Sequence, residues 1–358
     1  MKYLLLYIVS KLYWLLITIR RLLYKYNFLS SWNFNKNSFS KNKGEAYPLL
    51  VSIGNISVGG SGKTPMSIYF SKLLHEHNIE HVIVSRGYKK KSWGTLVVSD
   101  GLSAPMANAD QCGDEPYLLA IKLPLTPIIV DENKRRAIIY AHRQFNPSVI
   151  LVDDGFQSLY LKFDYHIVLH SNATTKAEMN LLPLGKLRVP AAEISNSDLI
   201  ILTKGKDLHN HYQSLCSYNN NIIDSCSQTS LLIWNKSTGV VEPYKNNDKI
   251  NQRTFLFCGL ADGVSFFDDA KKYFNNIVFK KKYSDHFDYF NNEAFEKDSQ
   301  SAIDNGVKIF VTSYKDFVKI KQDAKSTNLP VEWIVVDIEY HVDVNKLDSF
   351  MSLVCRSV

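Results

Sequence analysis

A glycine-rich segment that ends in lysine and threonine is the part of the chain best suited to phosphate chemistry. It follows a short apolar run at 49–53, and its residues are Gly59, Gly60, Ser61, Gly62, Lys63 and Thr64. Glycines let successive backbone N–H groups point at phosphate oxygens, while the following helix presents its positive end to them. A lysine here reaches the outer phosphates, and the threonine hydroxyl ligates Mg²⁺. The segment predicts a nucleotide-binding loop, with an ordinary glycine-rich turn as the alternative.

A pair of aspartates supplies the second half of such a site. Asp153 and Asp154 come directly after an apolar run at 148–152. The carboxyl ends of parallel strands meet at one edge of a sheet, so we expect these carboxylates beside Lys63 and Thr64. In phosphate-loop enzymes a carboxylate at this place holds Mg²⁺ directly or through water. The sequence therefore predicts a metal site of Thr64 with Asp153 or Asp154, the choice between the two staying open. A plain turn is the alternative.

The N-terminus carries the positive charge of the chain. Residues 1–44 contain eight lysines and arginines and no acidic residue, so the rest has a net charge of −1 although the whole chain has +7. The nearly apolar stretch 3–19 would form a helix of about 26 Å, a little short of the ~30 Å hydrocarbon core. Basic and apolar residues together favour a helix lying in an anionic membrane surface, with Lys11 at the headgroups, over nucleic-acid binding. A membrane span, a cleaved signal peptide and a packed core helix are the alternatives.

The elements that position these groups follow from the spacing of apolar residues. Short continuous apolar runs separated by helical patterns are typical of a parallel sheet with helices on both faces. We predict an α/β protein: a P-loop NTPase-like parallel sheet, a smaller C-terminal α/β domain and an N-terminal membrane-associated helix. Four parts are predicted: the helix at 1–26, the P-loop domain at 27–205, a linker with a small two-stranded element at 206–252, and the C-terminal domain at 253–358. The P-loop domain begins with a polar connector that ends at residue 46.

The cysteines indicate a reducing compartment. They are odd in number and form no Cys-x-x-Cys pair: Cys112, Cys216, Cys226, Cys258 and Cys355. We therefore predict reduced thiols in a cytoplasmic protein rather than a disulfide framework or a zinc site.

Seven short motifs occur in an order that points to one family. The most specific are Gly-Gly-Ser-Gly-Lys-Thr-Pro at 59–65 and Asp-Asp-Gly-Phe-Gln at 153–157. The others are Ser-Arg-Gly-Tyr at 85–88, Gly-Asp-Glu-Pro at 113–116, Leu-Leu-Pro-Leu-Gly-Lys-Leu-Arg at 181–188, Asp-His at 285–286 and Thr-Ser-Tyr-Lys-Asp at 312–316. Over nearly its whole length the chain resembles the tetraacyldisaccharide 4′-kinase (LpxK) family.

The resemblance implies a reaction that the loop alone does not specify. It implies transfer of the γ-phosphate of ATP, with Mg²⁺, to the 4′-hydroxyl of a membrane-embedded, acylated glucosamine disaccharide in lipid A assembly. The enzyme would act at the cytoplasmic face of the inner membrane, attached through the N-terminal helix, and would have no nucleic-acid partner.

The resemblance also implies roles for individual residues. Lys63 would act on the outer phosphates, and Asp114 and His286 would meet across the domain cleft to orient and deprotonate the 4′-hydroxyl. From the residues alone, Asp114 is equally a helix N-cap and His286 a solvated loop histidine. Four residues are candidates for contact with the disaccharide or its phosphate: Arg86, Tyr88, Gln157 and Arg188. For each of them, a surface or helix-capping role is the alternative.

Two other functions agree with the same features. One is a membrane-attached P-loop ATPase whose hydrolysis drives a protein partner, with the N-terminal helix as its docking site. The other is a membrane-attached regulatory protein that binds nucleotide without turnover. Dependence of ATP consumption on the lipid acceptor distinguishes a kinase from both.

Overall fold

One sheet runs through both halves of the molecule. The computed structural model describes residues 2–34, 47–204, 215, 217–219, 221–245, 249–290 and 292–358. Most of the predicted polar connector, at 35–46, and Cys216 lie outside the described residues. The other four cysteines, Cys112, Cys226, Cys258 and Cys355, form no disulfide among the described residues.

The N-terminal half contains the phosphate loop. Its strands are β1 (Leu49–Asn55), β2 (His81–Ser85), β3 (Leu96–Asp100), β4 (Pro127–Val130), β5 (Val149–Asp153), β6 (Tyr165–Ser171) and β7 (Leu199–Thr203). Its helices are α1 (Lys2–Lys25), α2 (Lys63–Glu76), α3 (Ala109–Cys112), α4 (Asp114–Lys122) and α5 (Lys134–Phe145), with a 3₁₀ helix at Ala191–Asn196.

The C-terminal half repeats the alternation. Its strands are β8 (Ile222–Asn235), β9 (Val240–Pro243), β10 (Thr254–Cys258), β11 (Ile277–Lys282), β12 (Ile309–Ser313) and β13 (Glu332–Val342). Its helices are α6 (Gly263–Ala270), α7 (Glu293–Asp304), α8 (Tyr314–Ile320), α9 (Ala324–Thr327) and α10 (Val344–Ser357).

The strand order confirms the predicted α/β architecture. Across the sheet the order is β11-β10-β12-β13-β8-β7-β6-β1-β5-β2-β4-β3, and β9 pairs with β8. Neighbours are parallel except at β3 with β4, β13 with β8, and β8 with β9. Strand β1 lies between β5 and β6, so the loop after β1 and the aspartates after β5 meet at the same sheet edge.

Strand β8 joins the two halves. Its residues 222–224 pair in parallel with β7, and residues 225–233 pair antiparallel with β13. Its far end forms a hairpin with β9, where the sequence predicts a two-stranded element. Since β8 begins inside the predicted linker and belongs to both parts of the sheet, the domain boundaries stay a prediction.

Apolar residues on both faces of the sheet hold the fold together. Helix α2 covers one face of the N-terminal half and meets α10, where the Phe70 and Phe350 rings pack edge to face at 6.4 Å. Helix α5 covers the other face with Ala137, Ile138 and Ala141, all completely buried. Burial of each large apolar side chain contributes about 1.5–3 kcal/mol to the stability of the fold. Because helices cover the parallel strands on both faces, the sequences of these strands are continuous apolar runs.

Helix α1 lies against the N-terminal half through one side only. Three polar side chains on that side reach the segment 181–193: Ser10 and Tyr13 donate to the Leu181 and Arg188 carbonyls, both at 3.0 Å, and Arg21 pairs with Glu193. Most of the apolar side chains of α1 are exposed, and only 6% of its most apolar window is buried. The packed core helix is therefore excluded, and this helix is long and apolar enough to cross a membrane by length and composition.

Candidate active site

The segment between β1 and α2 has the backbone that a phosphate loop requires. Gly59 and Gly62 have φ angles of 106° and 83°, in the left-handed region that favours glycine. Gly62 immediately precedes α2, which begins at Lys63. A Cβ at Gly62 would lie 3.2 Å from the ring of Tyr340 on β13, so a larger residue would also push against the C-terminal half.

A buried asparagine organises this loop. Asn55, the last residue of β1, is completely buried, and its amide nitrogen donates to the Ser57 carbonyl at 2.7 Å and to Ser61 Oγ at 2.8 Å. Its amide oxygen accepts from Lys63 Nζ at 3.4 Å. Asn55 therefore fixes both the loop and its lysine. Sequence analysis did not select it, although a polar residue ending an apolar strand directly before a glycine-rich loop is a usable signal.

Asp153 and Asp154 lie beside this lysine, as the sheet order requires. Asp153 pairs in register with Ile53 of β1, and its carboxylate accepts from Ser85 Oγ at 3.0 Å. The Asp154 carboxylate lies 3.9 Å from Lys63 Nζ and 3.1 Å from the Arg188 guanidinium. The structure thus brings both aspartates to the phosphate loop but gives them different partners.

These partners separate the two carboxylates electrostatically. Burial raises the pKa of Asp153 to about 6, and repulsion from Glu115 and Asp154 adds to that effect. Burial also opposes ionisation of Asp154, but Lys63, Arg188 and Lys134 hold its pKa below the ordinary value. These charges favour the ionised form of Asp154, whereas for Asp153 the charges of Lys63 and Lys134 do not offset its burial.

The donor set fits Mg²⁺. Thr64 lies in the first turn of α2 and offers a hydroxyl oxygen, and Asp153 and Asp154 offer carboxylate oxygens, the ligands that this hard cation prefers. A divalent cation would also relieve the crowding of Asp153 with its acidic neighbours. Within the part of the chain that the structure describes, no group of three or more His, Cys, Asp or Glu could hold a metal. Mg²⁺ suits this arrangement, because it binds through one or two carboxylates and completes its shell with phosphates and water.

Asp114 and His286 are in direct contact between the two halves. His286 Nδ1 lies 2.9 Å and 2.8 Å from the two carboxylate oxygens of Asp114. The N-cap of α4 is Gly113, and Asp114 is the first helical residue, so the N-cap interpretation of Asp114 is wrong. The His286 side chain is only 11% exposed, so it is not a solvated loop histidine.

Two lysines of α8 keep Asp114 ionised. Burial opposes ionisation, but the hydrogen bond from His286 and the charges of Lys315 and Lys319 hold the pKa of Asp114 well below its usual range. Lys319 Nζ lies 3.6 Å and Lys315 Nζ 3.9 Å from the carboxylate. An ionised carboxylate can only accept, so Nδ1 of His286 carries the hydrogen that points at Asp114, while Nε2 lies 3.8 Å from the Asp285 carboxylate. The pair therefore has the geometry of a histidine base oriented by an aspartate.

The four predicted substrate contacts lie at different places. The Tyr88 ring packs against His286 with centroids 5.2 Å apart, and Arg188 binds Asp154. Gln157 donates to the Asn55 carbonyl at 3.3 Å, at the base of the phosphate loop. Arg86 is exposed just beyond β2. The structure thus brings Tyr88 to the histidine and Arg188 and Gln157 to the loop, while the binding roles of all four stay predictions.

Several charged residues of the site were missed by sequence analysis. Lys315 Nζ binds Glu115 Oε1 at 2.8 Å, and both belong to the seven motifs, although neither has a predicted role. Their place in the motifs was a usable signal. Lys134 is 5% exposed and donates to the backbone carbonyl of Asp154, and burial lowers its pKa. No sequence signal separates Lys134 from the basic residues that follow it.

Comparison with known proteins shows which family the chain matches. The family model described as LpxK, tetraacyldisaccharide-1-P 4′-kinase, matches residues 2–356. A tetraacyldisaccharide 4′-kinase of Halothermothrix orenii is 31% identical over 331 residues, covering 88% of this chain and 82% of that protein. One of Desulfotalea psychrophila is 32% identical over 286 residues, covering 79% and 80%.

A solved structure extends the similarity to the whole fold. The crystal structure of Aquifex aeolicus LpxK in complex with ATP superposes with a TM-score of 0.74 at 26% identity, covering 100% of this chain and 99% of that one. The match thus spans α1, the phosphate loop and both halves of the molecule. On the length of the family match and the identity of these relatives, the chain belongs to the tetraacyldisaccharide-1-P 4′-kinase family, LpxK.

Proposed function

We propose that this chain is an ATP-dependent kinase that phosphorylates the 4′-hydroxyl of a tetraacylated glucosamine disaccharide in lipid A biosynthesis. The contact between Asp114 and His286 carries the proposal, because a histidine oriented by a carboxylate can take the proton of an attacking hydroxyl. Ser85 at the end of β2 donates to Asp153 at 3.0 Å, and Tyr88, three residues later, packs against His286 with ring centroids 5.2 Å apart. The base therefore lies close to the carboxylates of the phosphate loop, where an acceptor and a γ-phosphate can meet.

On the nucleotide side, the chain supplies positive charge and fixed donors. Backbone N–H groups of the loop, the N-terminus of α2 and Lys63 neutralise the outer phosphates, which is the main requirement of a loose phosphoryl-transfer transition state. Thr64 with Asp153 or Asp154 would hold Mg²⁺. When bound, the cation supplies further neutralisation of the charge that develops on the phosphate oxygens. Arg188 and Lys134 keep Asp154 in place.

On the acceptor side, His286 receives the proton. Asp114 accepts the Nδ1 hydrogen and so fixes the orientation of the imidazole ring, whose Nε2 takes the proton of the 4′-hydroxyl. The proton leaves the attacking oxygen late in such reactions, so orientation matters more than base strength. Tyr88 is 62% exposed beside His286 and is well placed to contact the sugar ring.

At the level of the cell, we place the enzyme on the cytoplasmic face of the inner membrane through α1. The docked side of α1 carries Ser10, Tyr13 and Arg21, which contact protein, while the opposite side is apolar and exposed. A helix docked along this length lies in the membrane surface more readily than across it. The lysines and arginines of α1 suit an anionic leaflet. The net positive charge of the chain is confined to its N-terminal segment, which argues against a nucleic-acid partner.

Acceptor dependence tests the proposed function. ATP consumption by the purified full-length chain is measured with and without the acylated disaccharide in detergent micelles. A kinase consumes ATP many times faster with the lipid present. A membrane-attached ATPase that acts on a protein partner would hydrolyse ATP at the same rate in both, and a regulatory nucleotide binder would not turn over in either.

A further inference from the structure

The segment 181–188 lies between α1 and the phosphate loop and contacts both. On one side it accepts hydrogen bonds from α1 at two carbonyls, from Ser10 Oγ to Leu181 and from the Tyr13 hydroxyl to Arg188. These two donors lie three residues apart, on the same face of the helix. Ile17, one turn further on, packs against the apolar cluster that contains Ile56.

On its other side, the same segment pairs with the loop itself. The Arg188 N–H donates to the Ile56 carbonyl at 2.7 Å, and the Val58 N–H donates to the Lys186 carbonyl at 2.8 Å. Between them, Ser57 and Leu187 form an antiparallel bridge. The first residues after β1 are therefore held in a short two-stranded ladder by the segment that α1 holds.

Arg188 is the residue at which these contacts converge. Its backbone N–H binds the phosphate loop, its carbonyl accepts from Tyr13, and its guanidinium reaches both carboxylate oxygens of Asp154 at 3.3 Å and 3.1 Å. The side chain is 25% exposed, so it faces the site rather than bulk solvent. One fixed backbone position thus determines where a positive charge lies beside Lys63.

We infer that Tyr13 is a positioning residue, through which the docked N-terminal helix holds Arg188 and Asp154 at the phosphoryl-transfer centre. The helix would then have two functions: its exposed side attaches the chain to lipid, and its docked side adjusts the site. This inference rests on the proposed kinase function and deepens it, because it links the helix to the rate of transfer as well as to the concentration of acceptor.

The test removes a single oxygen atom. Tyr13→Phe keeps the ring and its packing but loses the hydrogen bond to the Arg188 carbonyl. We expect kcat to fall about three- to tenfold, the effect of one lost hydrogen bond. The KM for ATP and the fraction of protein bound to anionic vesicles should stay unchanged. Tyr7→Phe is the matched control, since Tyr7 lies on the same helix with its ring over Lys11 and should behave as wild type.

A double-mutant cycle separates positioning from general damage. In an Arg188→Gln background, Tyr13→Phe should have little further effect on kcat, because the guanidinium that it positions is gone. Full activity of Tyr13→Phe would overturn the inference. So would an equal loss in the Arg188→Gln background, or a loss explained by release from the vesicles. If the wild-type chain itself shows no acceptor-dependent turnover in this assay, the proposed function fails instead.

Discussion

Lys63 is the residue on which phosphate chemistry depends most directly. It is held by Asn55 at 3.4 Å and lies 3.9 Å from Asp154, so its charge is aimed without being neutralised by a close pair. Lys63→Ala should lower kcat at least about a hundredfold, because it removes charge stabilisation of the transition state. Steady-state kinetics and a thermal melt check this. Lys72→Ala is the control: Lys72 lies on the same helix, and its loss breaks only an exposed ion pair with Glu339 of β13, so this variant should keep normal turnover.

Asp114 and His286 should act as a unit. Asp114→Ala and His286→Ala should each lower kcat by about 10²- to 10⁴-fold with little change in ATP affinity, as for loss of general base catalysis. The double variant should be much less impaired than the product of the two single losses, since neither residue works without the other. Multiplicative losses would show that the two residues do not act as a unit, in spite of their 2.8 Å contact.

At this scale the sequence predicts the residues of each motif but not their partners. Asp114 and His286 were paired only through the family resemblance, since nothing in their spacing brings positions 172 residues apart together. Lys319 was missed for the same reason: it becomes part of the site only because α8 packs beside α4. The phosphate loop was predictable because its chemistry lies within one short segment.

Among the elements, the contact of β2 with α2 should make stability depend on pH. His81 on β2 is buried, donates from Nδ1 to the Ile79 carbonyl and accepts from Ser71 of α2. Burial lowers the pKa of His81, so below about pH 6.5 the unfolded chain takes up a proton that the folded chain resists. The contribution of His81 to the free energy of unfolding should therefore be complete above about pH 6.5 and decrease as the pH falls below that value.

Urea denaturation at neutral and mildly acidic pH measures this effect. His81→Gln should lose part of the acid-dependent fall, because its side chain does not titrate. His166 is half-buried, and desolvation lowers its pKa as well, so it should account for some of the slope that remains. An unchanged slope in His81→Gln would show that His81 is not a source of the dependence.

The exposed side of α1 should determine membrane binding. Leu12 and Leu16 are 56% and 67% exposed, and burial of each in lipid would contribute about 1.5–3 kcal/mol. Leu12→Glu with Leu16→Glu should release the chain from anionic vesicles in a flotation assay, as should removal of residues 1–25. Leu102→Glu is the control, since Leu102 is 92% exposed in the loop after β3. Equal flotation of all variants would contradict membrane attachment through α1.

Element prediction succeeded where burial leaves a pattern. The continuous apolar runs of the parallel strands predict most of the sheet, whereas residues 225–230 of β8 are polar and fall within the predicted linker. They pair with β13 through backbone hydrogen bonds and are half-buried or exposed there, so no apolar run marks them. Strand β3 was also missed, because it is a short antiparallel strand at the sheet edge.

Across the whole molecule, the site is assembled by contacts between the halves. His286 meets Asp114, Lys315 meets Glu115 at 2.8 Å, and Lys204 at the end of β7 meets Asp262 at 2.6 Å. The sequence predicts two α/β patterns, but their relative placement depends on side chains that meet only after folding. The similarity to the kinase family supplies what the sequence pattern alone does not.

The identity of the phosphorylated product tests the central claim most directly. The full-length chain is incubated with γ-labelled ATP, Mg²⁺ and the tetraacyl disaccharide 1-phosphate in micelles, and the lipid is analysed by mass spectrometry and NMR. We expect one labelled phosphate per lipid, attached to the 4′ oxygen, and none with Lys63→Ala. Label recovered only as inorganic phosphate beside unmodified lipid, or a phosphate on another hydroxyl, would contradict the account.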